Sequence, residues 1–212
     1  YIDTKHPIIM ENLMGIKRTN GSNQKGKKPL LINDLKALIE AIHQSIEKDS
    51  RKSRDKAIVL IGFSGGFRRS ELVSIEYEDL EFVLEGVKIF VKRSKTDQSG
   101  EGMTKAIPYF ENVGFCPVIA LKNWIEISKV KKNKIFKISD KGVALIVKKY
   151  ANLAGLDAQR YAGHSLRSGF ATSTAESGAE ERNIMAMTGH KSTEMVRRYI
   201  KEANLFKNNA LN

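Results

Sequence analysis

One interval of period-two patterning, set inside a chain that otherwise reads as helix, constrains the fold most. Leu80–Leu84 and Val87–Val91 alternate on either side of Glu85-Gly86, the spacing of an antiparallel hairpin. A charged loop, Lys92 to Gly102, follows, and Thr104–Pro108 returns as a third strand. Outside this interval the apolar period is helical. Leu35, Leu38, Ile39, Ile42 and Ile46 fall on one face, with Asn33 as N-cap. A second helix runs from about Ser53 through Ile58–Phe63 to a stop at Gly65-Gly66, and a short one from Arg68 to Ile75. Pro117 opens a helix to Ile127, since proline is tolerated in the first turn. Ser139 caps another that carries Val143, Ile146, Val147 and Tyr150 to Gly155. Three more fit 165–177, 180–188 and 192–203, broken at Gly178 and Gly189, with Ser192 as a cap. The predicted class is mainly α with a small antiparallel β-sheet (α+β).

A chain of 212 residues suits one large domain or two small ones. Residues 17–29 are basic, Gly-rich and without apolar period, and read as a flexible linker. The expected division is therefore an N-terminal segment with linker, 1–29, and a domain over 30–212.

Charge narrows the partner. Lys and Arg total 36 against 24 acidic residues, a net charge of +12, which favours a polyanion, and nucleic acid is the commonest. The single Cys116 cannot form an internal disulfide, and no Cys/His cluster has zinc-ligand spacing. The longest apolar run, Ala57 to Phe63, is too short to span a bilayer, and no leader of signal-peptide form is visible. These features point to a reducing cytoplasm, with association to the nucleoid when DNA is bound, and to no membrane partner.

The chemistry-bearing residues lie mostly in the last third. His164-Ser-Leu-Arg167 is followed by Gly189-His190 and, nine positions on, by Tyr199. Arg68, in Gly66-Phe-Arg-Arg-Ser-Glu-Leu72, lies far upstream and joins the set only if folding brings the regions together. Cationic forks matched to phosphate beside a hydroxyl nucleophile fit covalent chemistry on a phosphodiester without a metal. Each residue alone has a plainer reading. Arg68 would be an ion-paired arginine with Glu71, one helical turn on, as partner. Lys95 would be one of several loop cations. Tyr199 would be an amphipathic-helix residue with Tyr109, Tyr150 and Tyr161 as rivals. Lys129 to Lys137 reads as a solvated basic face. Residues 180–203, two short helices around Gly189, also have the outline of a helix-turn-helix that binds DNA without catalysis.

Taken together the segments resemble the catalytic domain of the tyrosine recombinases, the phage integrase family. Gly66 to Leu72 resembles its first-arginine box, His164-Ser-Leu-Arg167 its His-x-x-Arg box, and Thr188-Gly189-His190 with Tyr199 its final box. Lys95 sits in a strand-to-strand loop where the family places its catalytic lysine. Two departures stand out: Ser64-Gly65-Gly66 where many members have Thr-Gly, and Ser168-Gly169 where many carry a further basic residue.

The resemblance implies DNA cutting and rejoining through a 3′-phosphotyrosine at Tyr199, with no cofactor. Arg68 and Arg167 would clamp the non-bridging oxygens, and Lys95 would serve as general acid. His164 and His190 would supply a proton acceptor and a donor, in an order left open, and Glu71 would orient a cation. It further implies a separate N-terminal core-binding domain, none of which is visible before residue 29. Weak, salt-sensitive binding to double-stranded DNA is expected of this chain alone, as a monomer, with a tetramer forming on DNA at full length. The tail from Ala203 to Asn212 resembles the family segment that packs on a neighbouring protomer. A type IB topoisomerase shares the tyrosine and clamp and stands as the alternative enzyme.

Overall fold

The computed structural model describes residues 3, 6–21, 26–92, 101–190 and 192–203. Among these residues it is helical apart from one three-stranded antiparallel sheet. The helices are α1 (Pro7–Asn20), α2 (Ile32–Gln44), α3 (Asp49–Ser64), α4 (Arg69–Ser74), α5 (Pro117–Ser128), α6 (Asp140–Leu153), α7 (His164–Glu176), α8 (Glu181–Thr188) and α9 (Thr193–Ala203). The strands are β1 (Leu80–Val83), β2 (Gly86–Val91) and β3 (Met103–Pro108), in that order across the sheet. Register pairs Phe82 with Val87 and Val87 with Ile107.

The main core joins α2, α3, α5 and α6 to one face of the sheet. Leu38, Ile39, Ile58, Leu60, Val87, Ile89, Ile107, Val118, Leu121, Val147 and Tyr150 lie inside it. Burying a side chain of this kind contributes about 1.5–3 kcal/mol each, so this cluster dominates cohesion. A second, smaller cluster, Ala171, Ala175, Ile184, Val196 and Tyr199, joins the later half of α7 to α8 and α9.

Several elements differ from the sequence expectation. Helix α2 ends at Gln44, because Ser45 turns extended and its Oγ donates back to the Ile42 carbonyl at 2.8 Å. Ile46 therefore lies past the helix and is exposed instead of on its apolar face. Asn33 is not the cap; Leu31 holds that position. Helix α3 starts four residues earlier than expected, with Asp49 in its first turn, where an acidic side chain complements the dipole.

The predicted linker over 17–29 also changes. Residues 17–20 are the last turn of α1, a helix with no buried residue. Residues 26–29 lie along the start of α7, where Lys28 N donates to the Arg160 carbonyl at 2.7 Å. Immediately after them, Leu30 N donates to the Ser165 carbonyl at 2.9 Å. Gly169 permits that approach, since a Cβ there would stand 2.0 Å from the Leu30 carbonyl oxygen. The Ser168-Gly169 departure thus has a packing reason.

Candidate active site

Four segments far apart in sequence meet where α7 crosses the turn between α3 and α4. Arg167, one helical turn into α7, is buried at 1% exposure. Its Nη1 donates to the Gly66 carbonyl at 2.8 Å, and its Nη2 lies 3.2 Å from His190 Nε2. Gly66 can present that carbonyl because it takes φ +54, and a Cβ on it would press on the Phe170 ring at 2.9 Å. The glycine at 66 is therefore a backbone requirement of the arginine's seat.

The hydrogen bonds fix the protonation of His190. Arginine can only donate, so His190 Nε2 accepts. Its Nδ1 then carries the hydrogen and donates to Thr188 Oγ1 at 2.7 Å, while that hydroxyl donates to the Ile184 carbonyl at 2.6 Å. Burial first, and then the charges of Arg167 and Arg68, lower the imidazole pKa to about 4, so it is neutral at pH 7. Burial, with Arg68 next, lowers Arg167 to about 10, and it stays charged at neutral pH. Gly189, at φ +65, ends α8 and turns the chain so that His190 reaches back to α7.

Arg68 is the N-cap residue of α4. Its backbone N–H and its Nη1 both donate to the Glu71 carboxylate, at 3.0 and 2.6 Å. Burial of Glu71 works to raise its pKa, but the Arg68 hydrogen bonds and the Lys105 and Arg68 charges outweigh it, and the net shift is downward. Glu71 thus holds Arg68 through both its backbone and its guanidinium. His164 opens α7 at the rim, and its pKa is lowered by burial and then by Arg167, Arg69 and Arg68.

Tyr199 lies on the inner face of α9, 8% exposed, with its ring centroid 6.1 Å from that of His190. It is close enough to act electrostatically on Arg167. It also lines, with His164, Lys27, Lys28, Arg160 and Arg198, a cleft of about 390 Å³. The rival tyrosines are engaged elsewhere: Tyr150 Oη donates to Asp55 at 3.0 Å, Tyr161 Oη to Asp34 at 2.9 Å, and Tyr109 Oη accepts from Lys122. The inward packing of Tyr199 and Val196 also argues against the helix-turn-helix reading, in which this helix would present the tyrosine outward to phosphate.

Lys95 and the tail beyond Ala203 lie outside the described residues. Among the described residues the structure reveals a lysine that motif reasoning missed. Lys105 on β3 is fully buried, and its Nζ donates to the Gly65 carbonyl at 2.7 Å and to the Met187 carbonyl. Burial, with Arg167 and Arg68 acting against the raising influence of Glu71, brings its pKa to about 7. The available signal was alternation: Lys105 occupies the inward set of β3 beside Ile107.

This geometry defines a helical α+β domain with two arginines and a histidine gathered beside a tyrosine. The model of the phage integrase family matches residues 30–205, and the chain belongs to that family. An integrase/recombinase xerD homolog of Selenomonas ruminantium is 46% identical over 98% of this chain and 64% of its own length. Tyrosine recombinase XerC of Syntrophus aciditrophicus is 30% identical over 69% of this chain and 48% of its own. The chain thus spans about half to two thirds of these relatives. Among solved structures, the XerH site-specific recombinase bound to difH substrate, in a pre-cleavage complex, matches 95% of this chain and 64% of that one. The TM-score is 0.67 at 18% identity, a likeness of fold.

Proposed function

We propose that this chain is the catalytic domain of a site-specific DNA recombinase, and that Tyr199 is its nucleophile. The observation that carries the reading is the convergence on Arg167, which touches the Arg68-bearing turn through Gly66 and touches His190 directly, with Tyr199 beside them. Tyr199 Oη attacks the phosphorus, the bond from phosphorus to the 5′-oxygen breaks, and a 3′-phosphotyrosine and a free 5′-hydroxyl result. Arg68 and Arg167 hold the two non-bridging oxygens, where each donor aimed at growing charge contributes about 3 kcal/mol. One phosphodiester is exchanged for another, so the reaction conserves its energy and calls for neither ATP nor a metal.

His164 shares the cleft with Tyr199 and its pKa is lowered, which suits it to accept the phenol proton. His190 is the proposed additional hydrogen-bond donor to phosphate, a role in which its Nε2, which accepts from Arg167 in the free site, takes up a hydrogen. Lys95 is the proposed acid for the 5′-oxygen. Residues 30–212 constitute the catalytic domain in this reading, with 1–29 leading into it. The partner is double-stranded DNA, bound by the domain alone as a monomer and by the full-length protein as a tetramer. The compartment is the cytoplasm; no helix among the described residues is long and apolar enough to cross a membrane.

The test uses the full-length protein and a library of nicked duplexes with randomised flanks. DNA is recovered only if it stays attached to protein after denaturation. Wild type should enrich a sequence class and Tyr199→Phe should recover none. Equal recovery from both, or none from either, sinks the reading.

A further inference from the structure

Burying an ammonium inside a fold is costly, and a methionine would fill the same space without that cost. Lys105 is nevertheless 0% exposed, on a strand face otherwise lined by Ile89 and Ile107. What it touches gives the reason. The Gly65 carbonyl, its first acceptor, precedes the Gly66 carbonyl that seats Arg167. The Met187 carbonyl, its second, precedes Thr188, which fixes the tautomer of His190. The Phe67 ring lies 4.7 Å from the same nitrogen, between that turn and Arg68.

We propose that Lys105 is a positioning residue for strand cleavage. It ties the turn behind Arg167 to the end of α8 behind His190, so that Arg167 and His190 keep one fixed separation. The sheet enters the site through this side chain. Beside it, Arg167 and the side chains of Phe170 and Thr188 around Gly66 also join the α3–α4 turn to the α7 and α8 side of the site. The titratable and charged groups that face it are Arg68 and Glu71 from the start of α4, Arg167 from α7 and the neutral His190 from beyond α8. Its lowered pKa, held up by Glu71 against burial and the two arginines, agrees with a nitrogen placed among the cations of the site instead of in solvent.

The proposal rests on the strand-cleavage reading, which adduct formation by wild type tests separately. With a nicked duplex enriched as above, single-turnover cleavage at saturating DNA and the DNA Kd are measured for the full-length wild type, Lys105→Met and Lys105→Gln. Displacing a catalytic group by about 1 Å can cost about 10²-fold, and Lys105→Met should slow cleavage on that scale. The Kd should change less than about threefold, since contacts to the DNA backbone elsewhere dominate affinity. Lys105→Gln, which keeps two N–H donors, should recover part of the rate. Wild-type cleavage by both folded variants overturns the proposal, as does a loss confined to Kd. Failure of both variants to fold, judged by thermal unfolding, also overturns it, because the lysine would then hold the fold and not the site.

Discussion

The half of the site proposed to bind phosphate and the half that carries the proposed nucleophile are built differently. Arg68, Arg167 and His190 are locked by hydrogen bonds to Glu71, Gly66 and Thr188, and Arg167 follows directly on Leu166 of the main core. Tyr199 belongs to the small cluster, where α9 is held by Val196, Tyr199 and the partly buried Ile200. A helix anchored by few apolar residues sits at the low-stability end of a fold. The difference teaches a division of labour. In the proposed reaction the oxyanion ligands are preorganised at fixed cost, while the helix that would deliver the attacking oxygen can adjust against them.

Experiments can break this comparison, starting with the largest effect. Arg167→Ala should lower single-turnover cleavage about 10²–10³-fold, the loss typical of one oxyanion donor. It should also lower stability by about 1–3 kcal/mol, because the Gly66 carbonyl loses its donor; rate and unfolding midpoint together check both. Unchanged cleavage would mean that the locked half is not the phosphate site. Thr188→Val removes the acceptor for His190 Nδ1, and about a tenfold slower cleavage is expected, restored by Thr188→Ser. Imidazole NMR should show the Nδ1–H tautomer of His190 in wild type and a mixture in Thr188→Val.

Val196→Ala probes the other half. It should speed amide exchange in α9 while leaving α3 and α7 protected, with global stability lowered by only about 1 kcal/mol. If α3 exchanges equally faster, the two halves are one cooperative unit.

A further effect is in pH linkage. The Lys105 pKa is near 7 folded, against an ordinary 10.5, so between these values the unfolded chain binds the extra proton. Stability contributed by this group therefore rises with pH from about 7 to 10.5, and Lys105→Met should flatten that rise. Denaturant unfolding at a series of pH values measures it.

Local signals carried much of this architecture. The Ser139 cap, the Gly189 stop and the spacing from His190 to Tyr199 are all short-range, and each appears in the structure as its residues imply; the hairpin also forms, but its turn is Leu84-Glu85 instead of Glu85-Gly86, because Gly86 pairs with Val83. Ser139 Oγ, for example, accepts from Gly142 N. Long-range features were less legible. The glycines beside Arg167 read as departures until Leu30 and Phe170 were seen against them. Helix α1 lacks a buried face, so its apolar residues gave no period tied to a core. Lys105 escaped because a lysine among loop and strand cations looks solvated, and only the packing of α8 over β3 makes it interior.

The central claim is that Tyr199 forms the covalent bond to DNA, and peptide mapping tests it most directly. Wild-type adduct is denatured, digested with protease and nuclease, and read by mass spectrometry. The account predicts a nucleotide remnant on the peptide containing Tyr199, and none on peptides containing Tyr109, Tyr150 or Tyr161. A remnant on any of those three, or an adduct that persists in Tyr199→Phe, would contradict it.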